Sequence, residues 1–312
     1  VEPSNHNSSK AFVTILRYQL GDWKPYIYRT YDKGNSWDLV TKGIPSDHPV
    51  RVLREDPKRE GLLFAGTEFG MFISFDDGST WNSFQQNLPI TPITDIKIHR
   101  NDVVLSTMGR SFWIMDNIDL LRNFDNKNEN ILYPITNTIR YRYRPSSNNH
   151  VSYPQNYVII DYKVVGESAE EISIQIMDMN DNLINSYKSR VQNEKIESYE
   201  MSTNEFTYIS SSNLSNNKGV NRFTWDMRHR GSWNQNTRFS YRNGPLVKPG
   251  KYKIILTIDD NSYTQNMEII PDPRIKDITY DIYQEQERLL LEIRDFITDV
   301  RLFENKVSTI MG

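Results

Sequence analysis

The sequence predicts an all-β chain: the C-terminal blades of a β-propeller, then an immunoglobulin- or fibronectin-like β-sandwich, then one amphipathic helix. Three observations predict it. A motif of the form [S/T]-x-D-x-G-x-[S/T]-W occurs twice, with its Asp residues 44 positions apart, which suits one four-stranded propeller blade. From about residue 131 the motif stops and longer strands begin. From about residue 279 apolar residues recur at helical spacing.

The two copies of the motif are Thr30-Tyr31-Asp32-Lys33-Gly34-Asn35-Ser36-Trp37 and Ser74-Phe75-Asp76-Asp77-Gly78-Ser79-Thr80-Trp81. Each residue type has a folding role in a hairpin turn. Gly34 and Gly78 supply the positive φ of a tight turn. Asp32 and Asp76 accept hydrogen bonds from the turn's own N–H groups. Thr30, Ser36, Ser74 and Thr80 add local hydroxyl bonds, and Trp37 and Trp81 pack across the hairpin as apolar plugs. Carboxylates satisfied in this way are turn anchors and poor general acids.

Strands surround the motifs at Val50–Arg54, Gly61–Gly66 and Gly70–Ser74, with Asp56-Pro57 as a turn signal between the first two. Thr94–His99 alternates apolar and polar, then turns at Asn101-Asp102 into Val103-Val104-Leu105. Val104–Thr107 and Phe112–Asp116 read as a third, eroded copy that keeps Asp116 but lacks the Gly and Trp. Residues 1–125 are therefore expected to form about three blades.

Residues 131–273 read as the sandwich. Its strands are expected at Tyr157–Val165, Ile172–Met177, Val220–Trp225, Tyr252–Ile258 and Tyr263–Ile270. Residues 144–156 read as a linker and 190–218 as a polar stretch with a long loop. Asp178–Asn182 has alternating oxygen side chains, but Leu183 stands where a calcium loop needs Gly, so it reads as a hairpin turn. Across 277–308, Ile282, Leu289, Leu290, Ile293, Phe296, Ile297, Val300 and Phe303 form one broad apolar stripe. Such a stripe needs a partner, either the sandwich or, the reading favoured here, further helices of a bundle.

Composition excludes several functions. The 312 residues carry a net charge of -3 with Lys and Arg scattered, so no nucleic-acid partner is expected. With no cysteine, disulfides, thiolate metal sites and Cys nucleophiles drop out. No apolar run is long enough to span a bilayer. His6, His48, His99, His150 and His229 are isolated, without metal-ligand spacing. No cofactor or metal is expected.

The motifs and the stretches around them resemble a known family. These stretches are Gly21–Tyr28, Leu62–Gly70, Gly109–Asp116, Asn221–Arg228 and Gly244–Tyr252. They look like bacterial exported proteins with Asp-box (BNR) repeats described as glycosyl hydrolases, with propellers related to sortilin-type receptors and xyloglucanases. The resemblance implies a secreted, periplasmic or outer-surface protein with upstream blades, because three blades cannot close a propeller. It implies a carbohydrate- or protein-binding scaffold, or part of a glycoside hydrolase acting on polysaccharide. Met108 stands where the family usually has His. Exposed sheet edges predict that the isolated chain self-associates.

Glycoside hydrolysis needs two carboxylates about 5–9.5 Å apart. Glu55, Asp56 and Glu68 follow strands and are the catalytic candidates, with a solvated turn as the plain alternative for Glu55 and Asp56. Arg54, Arg110 and Tyr28 lack the ordered spacing of a sialidase site. For binding, Trp23, Tyr26, Arg110, Trp113 and Trp233 are the candidates, because aromatic faces with polar rims suit sugar stacking. Trp225 alternates within a strand and reads as core.

Overall fold

The computed structural model describes residues 1–125, 127–141, 156–168, 171–189, 214–236 and 243–311. The expected linker at 144–156, apart from Asn156, and the polar stretch up to residue 213 lie outside the described residues. The chain divides into two compact units, Val1–Phe124 and Asp125–Gly312.

The first unit holds blades of a β-propeller. Strands β1 (Glu2–Pro3), β2 (Ala11–Thr14), β3 (Ile27–Thr30) and β4 (Asp38–Leu39) form one antiparallel sheet in chain order. Strands β5 (Val50–Glu55), β6 (Leu63–Thr67), β7 (Gly70–Ser74) and β8 (Asn82–Ser83) form the second. Strands β9 (Ile93–His99), β10 (Asp102–Thr107) and β11 (Phe112–Met115) form a three-stranded third, followed by the short helix α1 (Asp119–Asn123).

Strand periodicity explains how the sheets stack. Successive side chains of β6 point to opposite faces. Leu63 and Ala65 join Phe12, Ile27, Val50 and Phe72 in a core shared with the first sheet. Leu62 and Phe64 join Met71, Ile93, Ile96 and Leu105 in a core shared with the third. The second sheet is thus buried on both faces, so β6 and β7 are buried at every position. That is why they read as continuous apolar runs. Gly66 is required at the stacking point, since a Cβ there would stand 2.7 Å from Ile93 Cγ2 and 2.8 Å from Val52 Cγ1.

The repeated turns close as their chemistry demands. The Thr30 hydroxyl donates to Asp32 at 2.7 Å and accepts from Gly34 N at 3.0 Å. Asp32 accepts from Ser36 N at 2.9 Å and Ser36 Oγ at 2.6 Å. The second copy repeats this pattern: Ser74 with Asp76 and Gly78, and Thr80 N and Oγ1 donating to Asp76 at 2.8 and 2.6 Å. Gly34 and Gly78 have φ of 90° and 84°. The hydroxyl and N–H of Ser36 hold the Asp32 carboxyl down to about pKa 2.

The two tryptophans differ. Trp81 is 3% exposed, sits in the core between the first two sheets and donates Nε1–H to Val40 O at 2.9 Å. Trp37 is 40% exposed and bonds back to Gly34 O at 3.1 Å. It is no plug, because among the described residues no sheet covers that side of the first blade. In the third copy, Asn117 N donates to Asp102 at 3.0 Å, while burial and the Asp102 charge raise the Asp116 pKa.

The second unit is a β-sandwich. Strands β12 (Ile131–Leu132), β14 (Val158–Ser168) and β17 (Asn217–Trp225) form one sheet. The other has the order β13 (Thr138–Arg140), β19 (Asn261–Pro271), β18 (Gly250–Ile258), β15 (Ile172–Asp178), β16 (Leu183–Lys188). All pairs are antiparallel except β13 with β19. The inward residues of both sheets, such as Ile160, Tyr162, Phe223, Ile174, Ile254 and Leu256, make one core. Trp225 is fully buried there. Residues 178–182 turn between β15 and β16, with Asp178 accepting from Asn180 N and Asn182 N.

Helix α2 (Tyr280–Met311) runs beyond the expected 277–308 stretch at its C-terminal end. It lies on its own unit through polar residues. Glu287 accepts from Lys248 N at 2.9 Å and pairs with His229 at 2.9 Å. Thr298 Oγ1 accepts from Trp233 N at 3.1 Å, and Arg301 donates to Ser232 Oγ at 2.8 Å. The apolar stripe faces away and is exposed. The sandwich therefore takes the helix but not its stripe.

Candidate functional site

The loops joining the second and third strands of each blade leave from the same sheet edge. Register fixes this, since Thr14 pairs with Ile27, Thr67 with Gly70 and Ser106 with Phe112. The first of these loops, residues 15–26, is the longest. A turn of 3-10 helix at Tyr18–Leu20 ends on Gly21 in the left-handed region. Asp22 then ties the loop together: it accepts from Lys24 N at 3.2 Å and Tyr26 Oη at 2.8 Å, and pairs with Arg17 at 3.1 Å.

This loop displays rings beside charges. Trp23 is 47% exposed and tilts against Tyr18 with centroids 5.8 Å apart. The Arg51 guanidinium lies 5.6 Å over the Tyr18 ring, and its Nε is 2.5 Å from Glu68 Oε1. Beside them Tyr26 and Tyr28 stack at 6.4 Å with 7° between planes, and Arg17 lies 5.6 Å over Tyr26. His48, which pairs with Asp47 at 2.8 Å, meets the exposed Phe69 ring at 4.8 Å.

The electrostatics favour fixed charge over proton transfer. The Tyr26 hydroxyl, with lesser help from Lys24 N–H and Arg17, pulls the Asp22 carboxyl below its usual range against the opposing effect of desolvation. The same hydrogen bond raises the Tyr26 phenol. Glu68 stands against Arg51. Flat apolar rings flanked by a guanidinium and carboxylates can take a ligand with an apolar face and polar edges.

Of the sequence candidates, Trp23, Tyr26 and Glu68 come together here. Arg110 is exposed in the equivalent loop of the third blade, residues 108–111. Its carbonyl accepts from Trp113 Nε1 at 2.8 Å, and the Trp113 ring packs on the core between the second and third sheets. Trp233 belongs to the second unit. It lines a cleft of about 530 Å³ with Asn234, Gln235, Arg301 and Glu304. Arg17, Tyr18 and Asp22 were missed because the loop carries no motif that marks them, and Arg51 because no spacing joins a loop residue to a strand residue of the next blade.

Glu55 and Asp56 lie at the opposite sheet edge, and the solvated-turn expectation for them does not hold. Both are buried. Lys10 Nζ stands 2.8 Å from Glu55 and 3.0 Å from both Glu60 and Asp77. Asp56 accepts from Lys58 N at 2.9 Å, Arg59 N at 2.7 Å and Arg122 Nη2 at 2.8 Å. Val50 pairs with Thr67 and Glu55 with Leu63, so about 16 Å of strand separates them from Glu68. That exceeds the glycosidase window, so neither pairs with Glu68 across one scissile bond.

No metal-binding group of three or more His, Cys, Asp or Glu occurs among the described residues. Nor is any described helix long and apolar enough to cross a membrane. His229 and His48 are not isolated as expected, since each pairs with a carboxylate, Glu287 and Asp47.

No protein-family model matches the chain, and no curated protein matches it. Solved structures do match. An extracellular domain of a hybrid two-component system from B. thetaiotaomicron is 12% identical, with a TM-score of 0.25 over 86% of this chain and 32% of that one. YCF48 bound to D1 peptide is 10% identical, TM-score 0.24, over 81% and 63%. An ancestral GH74 enzyme is 11% identical, TM-score 0.26, over 79% and 46%. The chain spans less than two thirds of the length of each.

Proposed function

We propose that this chain belongs to an exported Asp-box propeller protein and binds a carbohydrate at the loop edge of its first two blades. The observation that carries this reading is the continuous run from exposed Trp23 through Tyr18 and Arg51 to Glu68. A pyranose offers one C–H face to an indole and hydroxyls to a guanidinium and carboxylate, which is the chemistry this run presents. Binding is favoured over hydrolysis because Glu68 and Asp22 each stand against an arginine and Glu55 and Asp56 lie at the far edge.

Further blades are part of the same reading. Trp81 packs on the preceding sheet, while Trp37, its counterpart, and Leu39 two positions on are 40% and 53% exposed. That open face suits an upstream blade of the parent protein. The test is a polysaccharide and oligosaccharide array probed with the full chain and with Trp23→Ala. Glycan binding at least tenfold weaker in the variant is expected. Binding to no glycan, or equal binding by both, overturns the reading.

A further inference from the structure

Helix α2 carries a second surface, unrelated to the loop edge. Its apolar residues Leu289, Ile293, Phe296, Val300, Phe303, Val307 and Ile310 follow one another at steps of four and three. That repeat averages 3.5 residues, the period of a coiled-coil seam. Phe296 and Phe303 are 69% and 68% exposed. The residues bonded to the sandwich, Glu287, Arg294, Thr298 and Arg301, occupy the opposite face. In heptad terms these are the outward positions of a coiled coil, so the helix is docked with most of its seam turned out, while Phe303 and the half-buried Val307 also line the Trp233 cleft.

We propose that this seam pairs with the same helix of a second copy of the chain, antiparallel, making a dimer. Layer volumes favour that direction. Parallel pairing would stack Phe296 on Phe296 and Phe303 on Phe303, alternating with thin Val300 layers. Antiparallel pairing sets Val300 against Phe296 of the second copy, Ile293 against Phe303, and Leu289 against Val307, so each layer joins a branched residue to a larger or longer one. Flanking charges agree. In the antiparallel pair Glu292 faces Lys306 of the second copy twice and Ile297 meets Ile297 at the dyad, with Asp299 opposite Asp299 as the one like-charge contact. In the parallel pair Asp299 faces Glu304 twice, with no attractive pair to offset it.

Sedimentation equilibrium of the full chain tests the dimer, with Phe296→Glu/Phe303→Glu as the variant. Both sites are exposed, so circular dichroism should show the fold retained. Because the chain has no cysteine, a nitroxide on Glu285→Cys, outside the charge pairs invoked above, reports direction. The antiparallel pair separates the two labels by about 42 Å along the axis, about 28 residues of rise; the parallel pair holds them side by side. A dimer that becomes monomeric in the variant, with labels at least that far apart, is expected. A monomer at 200 μM concentration, a dimer that survives the double substitution, or labels side by side each overturns the proposal.

Discussion

Trp81→Ala and Trp37→Ala change the same position of the same motif and should differ several-fold in cost. Trp81 is 3% exposed, packs between two sheets and satisfies Val40 O with its Nε1–H. Its truncation leaves a cavity in that core and a buried carbonyl without its donor. Truncations of this size in a core cost about 3–5 kcal/mol, and the orphaned carbonyl adds about 1 kcal/mol. Trp37 is 40% exposed and, among the described residues, its hydrogen bond is local, to Gly34 O, so its loss should cost about 1 kcal/mol or less. Urea unfolding of the full chain, followed by hydrogen exchange of β6 and β7 amides, measures both. Equal losses for the two variants would refute the account of stacked blades, since the motif alone would then set the energy.

Three further outcomes follow from the first unit. The folded pKa of Asp32, about 2, lies below its unfolded value of 3.8. Its stabilising effect is therefore complete above about pH 4 and lost as pH falls toward 2; Asp32→Asn should flatten this part of the melting-temperature profile. Asp56→Ala should cost about 1–3 kcal/mol, because it leaves two backbone N–H groups without their acceptor and Arg122 with Asp119 as its remaining carboxylate; a denaturation midpoint unchanged from the parent would contradict that. Gly66→Ala should cost about 1–3 kcal/mol from the clash with Ile93 and Val52, read as a lower thermal midpoint.

The repeated turns were legible because their chemistry is local: Thr30, Asp32, Gly34 and Ser36 satisfy one another within seven residues. Strand runs in both units were legible for the same reason, since burial on one or two faces sets the apolar period. What depended on distant partners was not. Asp56 looks like a solvated turn residue in sequence, yet Arg122, 66 positions away, encloses it. The stripe of α2 was visible, but its direction was set by Glu287, Thr298 and Arg301, which look like ordinary surface residues. Trp37 and Trp81 are indistinguishable in their motifs, and only the neighbouring sheet separates them. Of the candidate site, Trp23, Tyr26 and Glu68 could be singled out as types, whereas Arg51 joins Tyr18 and Glu68 only through the packing of one blade on the next.

The central claim is that the loop edge of the first two blades receives the ligand. Hydrogen–deuterium exchange of the full chain, with and without the best-binding glycan from the array, locates the contact directly. Protection confined to residues 15–28, 48–51 and 68–69 is the predicted result. Protection instead at the Trp233 cleft, in residues 232–235 and 301–308, would contradict it.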